Sequence, residues 1–286
     1  ANAYLESRGL NDQELINHFQ LGYANRTLGL RLPHKNRKAG AELREKLQNI
    51  GVYRESGHEH LNGSVVIPLV NKSGEVVQLY GRKILNNLRE GTAYHLYLPG
   101  DHAGVFNYEY LKSCSVAHGI LPPATLEHPC SSEIILCEAL IDALTFWRWG
   151  FKNVTSSFGV NGFTDELLQT LIELKIKRVL IAYDRDEAGN TAAAKVAKLL
   201  NENGIDAFRI LFPKGMDANE YALKVTPPQQ SLALVIRKAE WLGNGEAPQI
   251  ITVPITSSLV ADQTERLELS RHPIEQNPPI NNDQKN

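Results

Sequence analysis

The sequence predicts an α/β protein in which a mainly parallel sheet, flanked by helices, follows a smaller mixed α+β subdomain. Three observations lead to this fold class. From about Glu133 onward, short apolar runs alternate with amphipathic helical patterns. Before that point, residues 64–84 have the pattern of a β-hairpin. Acidic residues also follow several of the apolar runs, where a parallel sheet builds its functional sites.

The first part of the chain predicts helices and a hairpin. Residues 11–24 carry apolar side chains at helical spacing, with Asn11 or Asp12 as the N-cap. Residues 31–46 are rich in lysine and arginine. In the hairpin, two strand-like runs are separated at 71–74 by the turn sequence Asn-Lys-Ser-Gly.

The second part alternates predicted strands with predicted helices. The strands are expected at 133–137, 153–157, 178–183 and 206–212. The helices are expected at 139–149, 164–175, 189–203 and 227–243, the last with two prolines in its first turn. This order is typical of a mainly parallel sheet with helices on both faces.

The expected domain organisation has three parts. An N-terminal α+β subdomain spans 1–130 and an α/β domain with a C-terminal helix spans 131–243. Residues 244–286 have scattered Pro, Asn, Gln and Thr with weak periodicity, which predicts a linker or a disordered tail.

Composition excludes several function classes. The net charge is −2, so nucleic-acid binding would require a local basic face. The three cysteines lack the paired spacing of a zinc site or a disulfide framework and indicate reduced thiols. The sequence has no apolar run of bilayer length and no signal peptide, so we expect a cytoplasmic protein. Because the chain lacks an initiator methionine, we expect it to be a piece of a longer protein.

Two carboxylates follow the first strand of the alternating part. Glu138 lies at the exit of the predicted strand and Asp142 lies four residues later. In a helix this spacing would place both on one face, where like charges repel. Taken alone, the pair is better explained as a solvated, acidic helix start.

Asp184 and Asp186 form a second acidic pair, directly after the third strand. In extended backbone their side chains would point the same way and face one point, an arrangement that suits Mg²⁺. Capping of the next helix is the competing interpretation. Asp217 follows the fourth strand and has the same two interpretations. Because acids at three strand ends converge at one edge of the sheet, the combination favours metal-dependent phosphate chemistry.

These motifs resemble a Toprim domain, the metal-binding core shared by bacterial-type primases, type IA and type II topoisomerases and several nucleases. The segment CEALIDALTFWRWG at 137–150 is similar to the primase form of the glutamate motif, followed by SSFG at 156–159. AYDRDEAG at 182–189 resembles the aspartate motif, and FPKGMDANEY at 212–221 resembles the acidic turn of primases.

The N-terminal part resembles the same family independently. Residues 4–24, YLESRGLNDQELINHFQLGYA, are similar to the opening of the RNA polymerase domain of DnaG-type primases. Residues 65–84 resemble that domain's hairpin, which ends in a Gly-Arg facing the template groove. Together the likeness spans about residues 4–243, and its motifs keep their order.

The resemblance implies the catalytic core of a DNA primase, a DNA-directed RNA polymerase and nucleotidyltransferase of bacterial, phage or mobile-element replication. It implies catalytic roles for Glu138, Asp184 and Asp186, and a shell for Mg²⁺ or Mn²⁺ formed by these three with Asp142 and Asp217. The residues expected to hold template or nucleotide are Arg82, Lys83, Arg37 and Lys38. A solvated basic loop is the competing interpretation for the last two.

The implied partners are single-stranded DNA template, ribonucleoside triphosphates, a replicative helicase and a zinc-binding module supplied in cis or in trans. Three positions depart from the family pattern. A basic residue usually precedes the tyrosine at position 94, but this chain has Ala93. A basic residue is also common directly after the aspartate motif, where this chain has Asn190. Asn219 stands where many cellular primases have a second aspartate.

Two other functions remain open at the level of sequence. The first is a Toprim-type metal-dependent nuclease, because the acids alone do not separate bond cleavage from bond formation. The second is an inactive core that acts as a nucleic-acid-binding or helicase-loading module.

Overall fold

An antiparallel sheet of four strands organises the first part of the chain, in the spatial order β1-β2-β3-β4. Its strands are β1 (Gly22–Tyr23), β2 (Ser64–Val70), β3 (Val76–Lys83) and β4 (His95–Tyr97). The predicted hairpin is confirmed by the pairing of β2 with β3. Its turn is closed by the Asn71 side chain, whose Oδ1 accepts hydrogen bonds from the backbone N–H groups of Ser73 and Glu75.

Among the described residues up to position 116, the helices are α1 (Asn2–Ser7), α2 (Gln13–His18), α3 (Leu28–Arg31), α4 (Lys38–Asn49) and α5 (Tyr108–Val116). Asp12 caps α2 as predicted, accepting a hydrogen bond from Leu15 N at 2.9 Å. The predicted extent of that helix, 11–24, is wrong, because α2 ends at His18. The following residues turn so that Gly22 and Tyr23 pair with β2 as an edge strand.

A second sheet of five strands follows, in the spatial order β6-β5-β7-β8-β9. Its strands are β5 (Glu133–Cys137), β6 (Val154–Ser156), β7 (Arg178–Ala182), β8 (Asp206–Arg209) and β9 (Glu240–Trp241). β5 to β8 are parallel, which confirms the mainly parallel sheet. β9 is antiparallel to β8 and lies in a segment that the sequence assigned to a helix. That assignment is wrong because the helix ends at Arg237, after which Trp241 packs its ring against Phe208.

The helices between these strands are α6 (Leu140–Arg148), α7 (Asp165–Glu173), α8 (Glu187–Glu202), α9 (Ala218–Lys224) and α10 (Pro228–Arg237). Thr164 caps α7, its hydroxyl oxygen accepting from Leu167 N at 3.2 Å. Pro228 occupies the first turn of α10, where its missing N–H is not needed. The predicted α/β fold class is therefore confirmed.

Alternate side chains of the parallel strands enter two different cores. Ile135 and Cys137 pack on one face of β5, whereas Ile134 and Leu136 pack on the other. The first core also contains Ile67 of the antiparallel sheet. Because both sheets contribute to this core, the carboxyl ends of β5 and β7 are held next to the antiparallel sheet, where the pocket described below opens.

The computed structural model describes residues 1–85, 87–116 and 132–248, which lie in one compact unit, Ala1–Pro248. From residue 249 onward, the predicted linker or tail lies outside the described residues. The division near residue 130 stays a proposal, because 117–131 also lie outside them. Within the described part, none of the helices combines the length and apolar character needed to cross a membrane.

Candidate active site between the two sheets

Four of the predicted carboxylates line one pocket of about 310 Å³. Glu138 follows β5, Asp184 follows β7, Asp217 precedes α9, and Asp142 lies in the first turn of α6. We call these four residues the acidic wall. The carboxyl ends of parallel strands meet at one edge of a sheet, which explains why residues up to 79 positions apart in sequence share a pocket.

The strand ends are tied together at this edge. A carboxylate oxygen of Glu138 lies 3.4 Å from Asp184 N, which donates to it. The Ser157 hydroxyl lies within hydrogen-bonding reach of the backbone carbonyls of Cys137, Glu138 and Gly159. The SSFG segment therefore fixes the loop after β6 against Glu138.

The structure places Asp186 outside the lining of this pocket. β7 ends at Ala182 and the backbone bends at Arg185 and Asp186, so the alternation of an extended strand does not continue to Asp186. Instead, Asp186 caps α8 and accepts from Gly189 N at 2.7 Å. Gly189 is required here because a Cβ atom would lie 2.2 Å from the carbonyl oxygen of Asp184.

Asp217 combines both predicted roles. Its Oδ1 accepts from Glu220 N at 2.6 Å and caps α9, and the residue also lines the pocket. Glu138 and Asp142 differ from the expected helical pair, because α6 begins at Leu140 and Glu138 precedes it. Both nevertheless face the same pocket.

The carboxylates raise one another's pKa values. Burial and the negative charge of Asp184 raise the pKa of Glu138 to about 7. Burial, followed by the charges of Asp217 and Asp184, raises the pKa of Asp142 well above its ordinary value. The pKa of Asp184 is raised by burial and by Asp217 and Asp186. Negative charge is thus concentrated where solvent is partly excluded, which is unfavourable without a cation.

Arg209 provides part of the compensation. It lies on β8 and is 4% exposed, and it donates through Nη2 to the backbone carbonyl of Asp184 at 2.9 Å and to Asn190 Oδ1 at 3.3 Å. Its charge lowers the pKa of both Glu138 and Asp184, against the raising effect of burial. Asn190, which departs from the family pattern, therefore serves as an acceptor for this buried arginine.

The acidic wall offers the hard oxygen donors that Mg²⁺ and Mn²⁺ prefer. Among the described residues, no three His, Cys, Asp or Glu side chains already stand close enough together to hold a metal ion. The donor chemistry fits a divalent ion, and a bound cation would relieve the repulsion that, after burial, raises the pKa values of Glu138, Asp142 and Asp184.

The opposite side of the pocket is positively charged. Arg82 at the end of β3 and Arg8 after α1 both line it, and we call this pair the cationic wall. Arg82 Nε donates to Tyr4 Oη at 3.2 Å, and its guanidinium lies 5.0 Å from the centre of the Tyr94 ring. The pocket thus places carboxylates opposite two guanidinium groups.

Arg8 is anchored by Asn219, the residue that replaces a second aspartate. Asn219 is completely buried; its Oδ1 accepts from Arg8 Nη1 at 3.2 Å, and its Nδ2 donates to the Arg8 carbonyl at 2.9 Å and to Thr145 Oγ1. Asn219 N also donates to Asp142 Oδ1. Asn219 does not line the pocket but connects its two walls.

Aromatic rings extend the pocket beyond the charged groups. Tyr97 of β4 and Phe158 of the SSFG segment both line it, with ring centres 5.2 Å apart. His102 stacks on Phe158 with ring centres 4.4 Å apart. This cluster offers apolar faces of the kind on which nucleobases stack.

The remaining predicted binding residues lie elsewhere. Lys83 follows Arg82 on β3, so its side chain points to the opposite face of the sheet. Burial and, after it, the charges of Arg54 and Arg26 lower the pKa of Lys83. Arg37 and Lys38 are exposed at the start of α4, and Lys38 is near Glu42 at 3.9 Å. Of the four predicted binding residues, Arg82 lines the pocket, whereas Lys83, Arg37 and Lys38 do not.

Sequence reasoning missed Arg8, Tyr4, His95 and Arg209. Arg209 could have been found, because an arginine within an apolar strand of a two-faced sheet must be buried and paired. Arg8 and Tyr4 lie in the segment that resembles the family, but the pattern gave them no role. His95 gave no signal, because its partners come from a neighbouring strand.

The fold and site define a Toprim-like protein in which an antiparallel subdomain faces the acidic edge of the parallel sheet. The family comparisons agree. Residues 1–107 match the N-terminal domain of the DNA primase catalytic core, and residues 135–222 match the Toprim-like family. The chain thus carries, in this order, a match to the N-terminal domain of the primase catalytic core and a match to a Toprim-like domain.

Curated relatives are DNA primases. The chain is 25% identical over 223 residues to the DNA primase of Lactococcus lactis subsp. lactis, covering 78% of this chain and 33% of the relative. It is 29% identical over 225 residues to that of Enterococcus faecalis, covering 77% and 34%. The chain thus spans about a third of the length of these relatives.

Solved structures share the fold. The zinc-binding and RNA polymerase domains of the Aquifex aeolicus primase match with a TM-score of 0.63 and 23% identity, over 93% of this chain and 59% of that chain. A DnaG primase catalytic domain bound to ssDNA matches with a TM-score of 0.64 and 21% identity, over 84% and 71%. These likenesses confirm the fold class.

Proposed function

We propose that the chain is the catalytic core of a DNA primase, which synthesises short RNA primers on single-stranded DNA from ribonucleoside triphosphates. One observation carries the proposal: carboxylates from three strand ends and two arginines from the antiparallel subdomain line the same pocket. This arrangement suits nucleotidyl transfer, in which a 3′-hydroxyl attacks the α-phosphate of a triphosphate and pyrophosphate leaves.

The acidic wall would hold Mg²⁺ or Mn²⁺ through Glu138, Asp142, Asp184 and Asp217. When bound, the metal lowers the pKa of the attacking hydroxyl and neutralises charge on the phosphates. Asp217 keeps its second carboxylate oxygen for this role while the first caps α9. Asp186 lies near enough to raise the pKa of Asp184, so its own second oxygen adds negative charge at the site.

The cationic wall would bind the phosphates of the incoming nucleotide. Arg82 presents a planar guanidinium that can donate two parallel hydrogen bonds to a phosphate. Arg8 adds a second positive charge, and Asn219 holds its side chain in place. The Tyr97 and Phe158 rings then supply a surface on which a base of the nucleotide or template stacks.

The cations on the other face of the antiparallel sheet would bind the DNA backbone away from the reaction. The charges of Arg54 and Arg26 act on Lys83 and lower its pKa. Phosphate contacts of this kind hold nucleic acid without reading its sequence. A solved DnaG catalytic domain with the same fold is described as bound to ssDNA, which supports nucleic acid as the ligand.

A zinc-binding module, supplied in cis or in trans, and a replicative helicase are the proposed partners of this core in cytoplasmic DNA replication. The similar Aquifex aeolicus structure contains zinc-binding and RNA polymerase domains together, which supports the first of these. Addition of such a module should tighten binding of single-stranded DNA and sharpen the choice of start site.

The test is incubation of the chain with single-stranded template, Mg²⁺ or Mn²⁺ and labelled ribonucleotides. We expect labelled primers that disappear when the metal is chelated. Shortened template in place of primers would indicate the nuclease, and DNA binding without either product would indicate a non-enzymatic module. Either of these results would contradict the proposal.

A further inference from the structure

His95 is a pocket residue for which the proposed chemistry assigns no role. It begins β4 and pairs in register with Arg82 of β3, so the two side chains lie side by side. Its ring lies between the Arg82 guanidinium and the Tyr80 hydroxyl, and part of the residue remains open to solvent. Loss of solvent around the ring and the charges of Arg82 and Arg8 lower the pKa of His95 to about 4.

The two hydrogen bonds of His95 determine which ring nitrogen carries the proton. Arg82 Nη1 lies 2.7 Å from His95 Nε2, and an arginine side chain can only donate. Nε2 is therefore the acceptor, and the proton of the neutral ring is on Nδ1. Nδ1 lies 2.8 Å from Tyr80 Oη and donates to it. A protonated ring would leave no acceptor for Arg82.

Tyr80 keeps the imidazole in this orientation. The Tyr80 side chain is completely buried, and its ring packs against Tyr97 with centres 5.3 Å apart. Its hydroxyl is therefore a fixed acceptor for His95 Nδ1–H. The chain of contacts runs from a buried phenol through a neutral imidazole to the guanidinium at the pocket.

Arg82 is thus held by neutral groups on three sides. His95 Nε2 accepts from Nη1, Tyr4 Oη accepts from Nε, and the Tyr94 ring lies 5.0 Å from the guanidinium carbon. Among the described residues, Arg82 forms no ion pair with a carboxylate. An aspartate or glutamate in place of His95 would also accept the hydrogen bond, but it would neutralise the charge needed for a phosphate.

We propose that His95 is a positioning residue: its neutral ring, oriented by Tyr80, aims Arg82 at the phosphate ligand of the pocket without neutralising it. The role rests on the proposed function, since it concerns the affinity of the same pocket for a nucleoside triphosphate. Three of the five guanidinium N–H bonds, one on Nη1 and two on Nη2, stay available for that ligand.

The test compares three substitutions that offer different acceptors to Arg82. His95→Gln keeps a neutral acceptor, His95→Glu offers a charged one, and His95→Ala offers none. We expect the KM for ribonucleoside triphosphate to rise about 10-fold in His95→Ala, the factor expected when a hydrogen bond that orients a charged group is lost. His95→Gln should recover most of this, whereas His95→Glu should not, and kcat should change less than KM in all three.

A double-mutant comparison separates positioning from general damage. If His95 acts through Arg82, His95→Ala should add little to the effect of Arg82→Ala, because the interaction is already lost. Additive effects of the two changes would overturn the proposal, as would equal KM values for His95→Gln and His95→Ala. Tyr80→Phe should raise KM in the same direction and by a smaller factor.

Two readouts do not depend on primer synthesis. Equilibrium binding of a fluorescent ribonucleoside triphosphate should follow the same order, parent and His95→Gln above His95→Glu and His95→Ala. ¹⁵N NMR of histidine-labelled chain at pH 7 should show His95, identified by its loss in His95→Gln, with the proton on Nδ1. If the chain makes no primers but shows both results, the proposed function is contradicted and the positioning role of His95 is retained. A proton on Nε2 would overturn the positioning role even in an active primase.

Discussion

The two walls of the pocket are built by different physical means. The acidic wall arises from topology: strand ends of the parallel sheet meet at one edge, and Glu138, Asp184 and Asp217 follow those ends. The cationic wall arises from side-chain contacts, in which Arg82 is held by His95 and Tyr4, and Arg8 is held by Asn219.

The walls also differ in their electrostatic state. The acids face like charges at short range, and the pKa values of Glu138, Asp142 and Asp184 are all raised. Arg82 is held by neutral partners and keeps its charge. The acidic wall is therefore prepared for a cation, and the cationic wall for an anion. A metal-bound triphosphate satisfies both.

Removing one charge of the acidic wall should have the largest effect. Asp184→Asn keeps the shape of the side chain and loses its charge. Loss of a residue that only supports a metal ligand lowers activity by up to about 100-fold, so we expect loss of the ligand itself to lower primer synthesis at least that much. The circular dichroism spectrum should not change. Asp165→Asn, the same change at the exposed start of α7, is the control. Unchanged primer yield in Asp184→Asn would exclude Asp184 from the metal shell.

Removing a charge of the cationic wall should have the next largest effect. Arg82→Ala removes charge-assisted hydrogen bonds worth about 2 kcal/mol, so we expect a loss of about 30-fold in kcat/KM for the nucleotide. Arg82→Lys should recover only part of it, because an ammonium lacks the planar pair of donors. Metal binding should survive in both variants. Arg237→Ala, on the exposed side of α10, is the control, and activity of Arg82→Ala close to the parent would remove Arg82 from the site.

The third prediction separates the two faces of the antiparallel sheet. Lys83→Ala should weaken binding of single-stranded DNA and lower the slope of log K against log salt by about 0.7, the value for one lost phosphate contact. Nucleotide KM should stay the same at saturating template. Lys198→Ala on α8 should leave the slope unchanged. A change in nucleotide KM without a change in salt slope would place Lys83 in the pocket instead.

The smallest effect should be a gain in stability. The pKa of Asp142 is raised in the folded chain, so ionisation of this group costs stability as pH rises through its folded pKa. Asp142→Asn removes that cost and keeps an acceptor for Asn219 N. Without metal, its Tm should approach that of the parent below about pH 4 and exceed it by a few degrees at pH 7, as about 1 kcal/mol of stability would give. An equal Tm at both pH values would contradict the raised pKa.

The sequence predicted the acidic wall better than the cationic wall. Glu138 and Asp184 follow β5 and β7 within two residues, Asp217 lies in the loop after β8, and strand ends of a parallel sheet converge whatever the packing around them. Asp186 was assigned to the same point because an extended backbone was assumed, but the chain bends before it. The fold class needed only the alternation of strands and helices, whereas β9 was missed because two residues give no period.

The cationic wall depends on tertiary contacts that no spacing reveals. Arg82 was expected in the site from the family resemblance, and grouping Lys83 with it overlooked that adjacent residues of a strand face opposite ways. His95 reaches Arg82 only because β4 pairs with β3 in a particular register. Arg8 depends on Asn219, 211 residues away.

Binding of a ribonucleoside triphosphate with and without Mg²⁺ tests most directly whether the two walls act on one ligand. A fluorescent triphosphate can be titrated with the parent chain, Asp184→Asn and Arg82→Ala. We predict that Mg²⁺ strengthens binding to the parent at least about 10-fold, or about 1.4 kcal/mol, and that this gain is lost in Asp184→Asn. Arg82→Ala should weaken binding with and without Mg²⁺. A parent affinity that does not respond to Mg²⁺, together with unaltered binding in Arg82→Ala, would contradict the account.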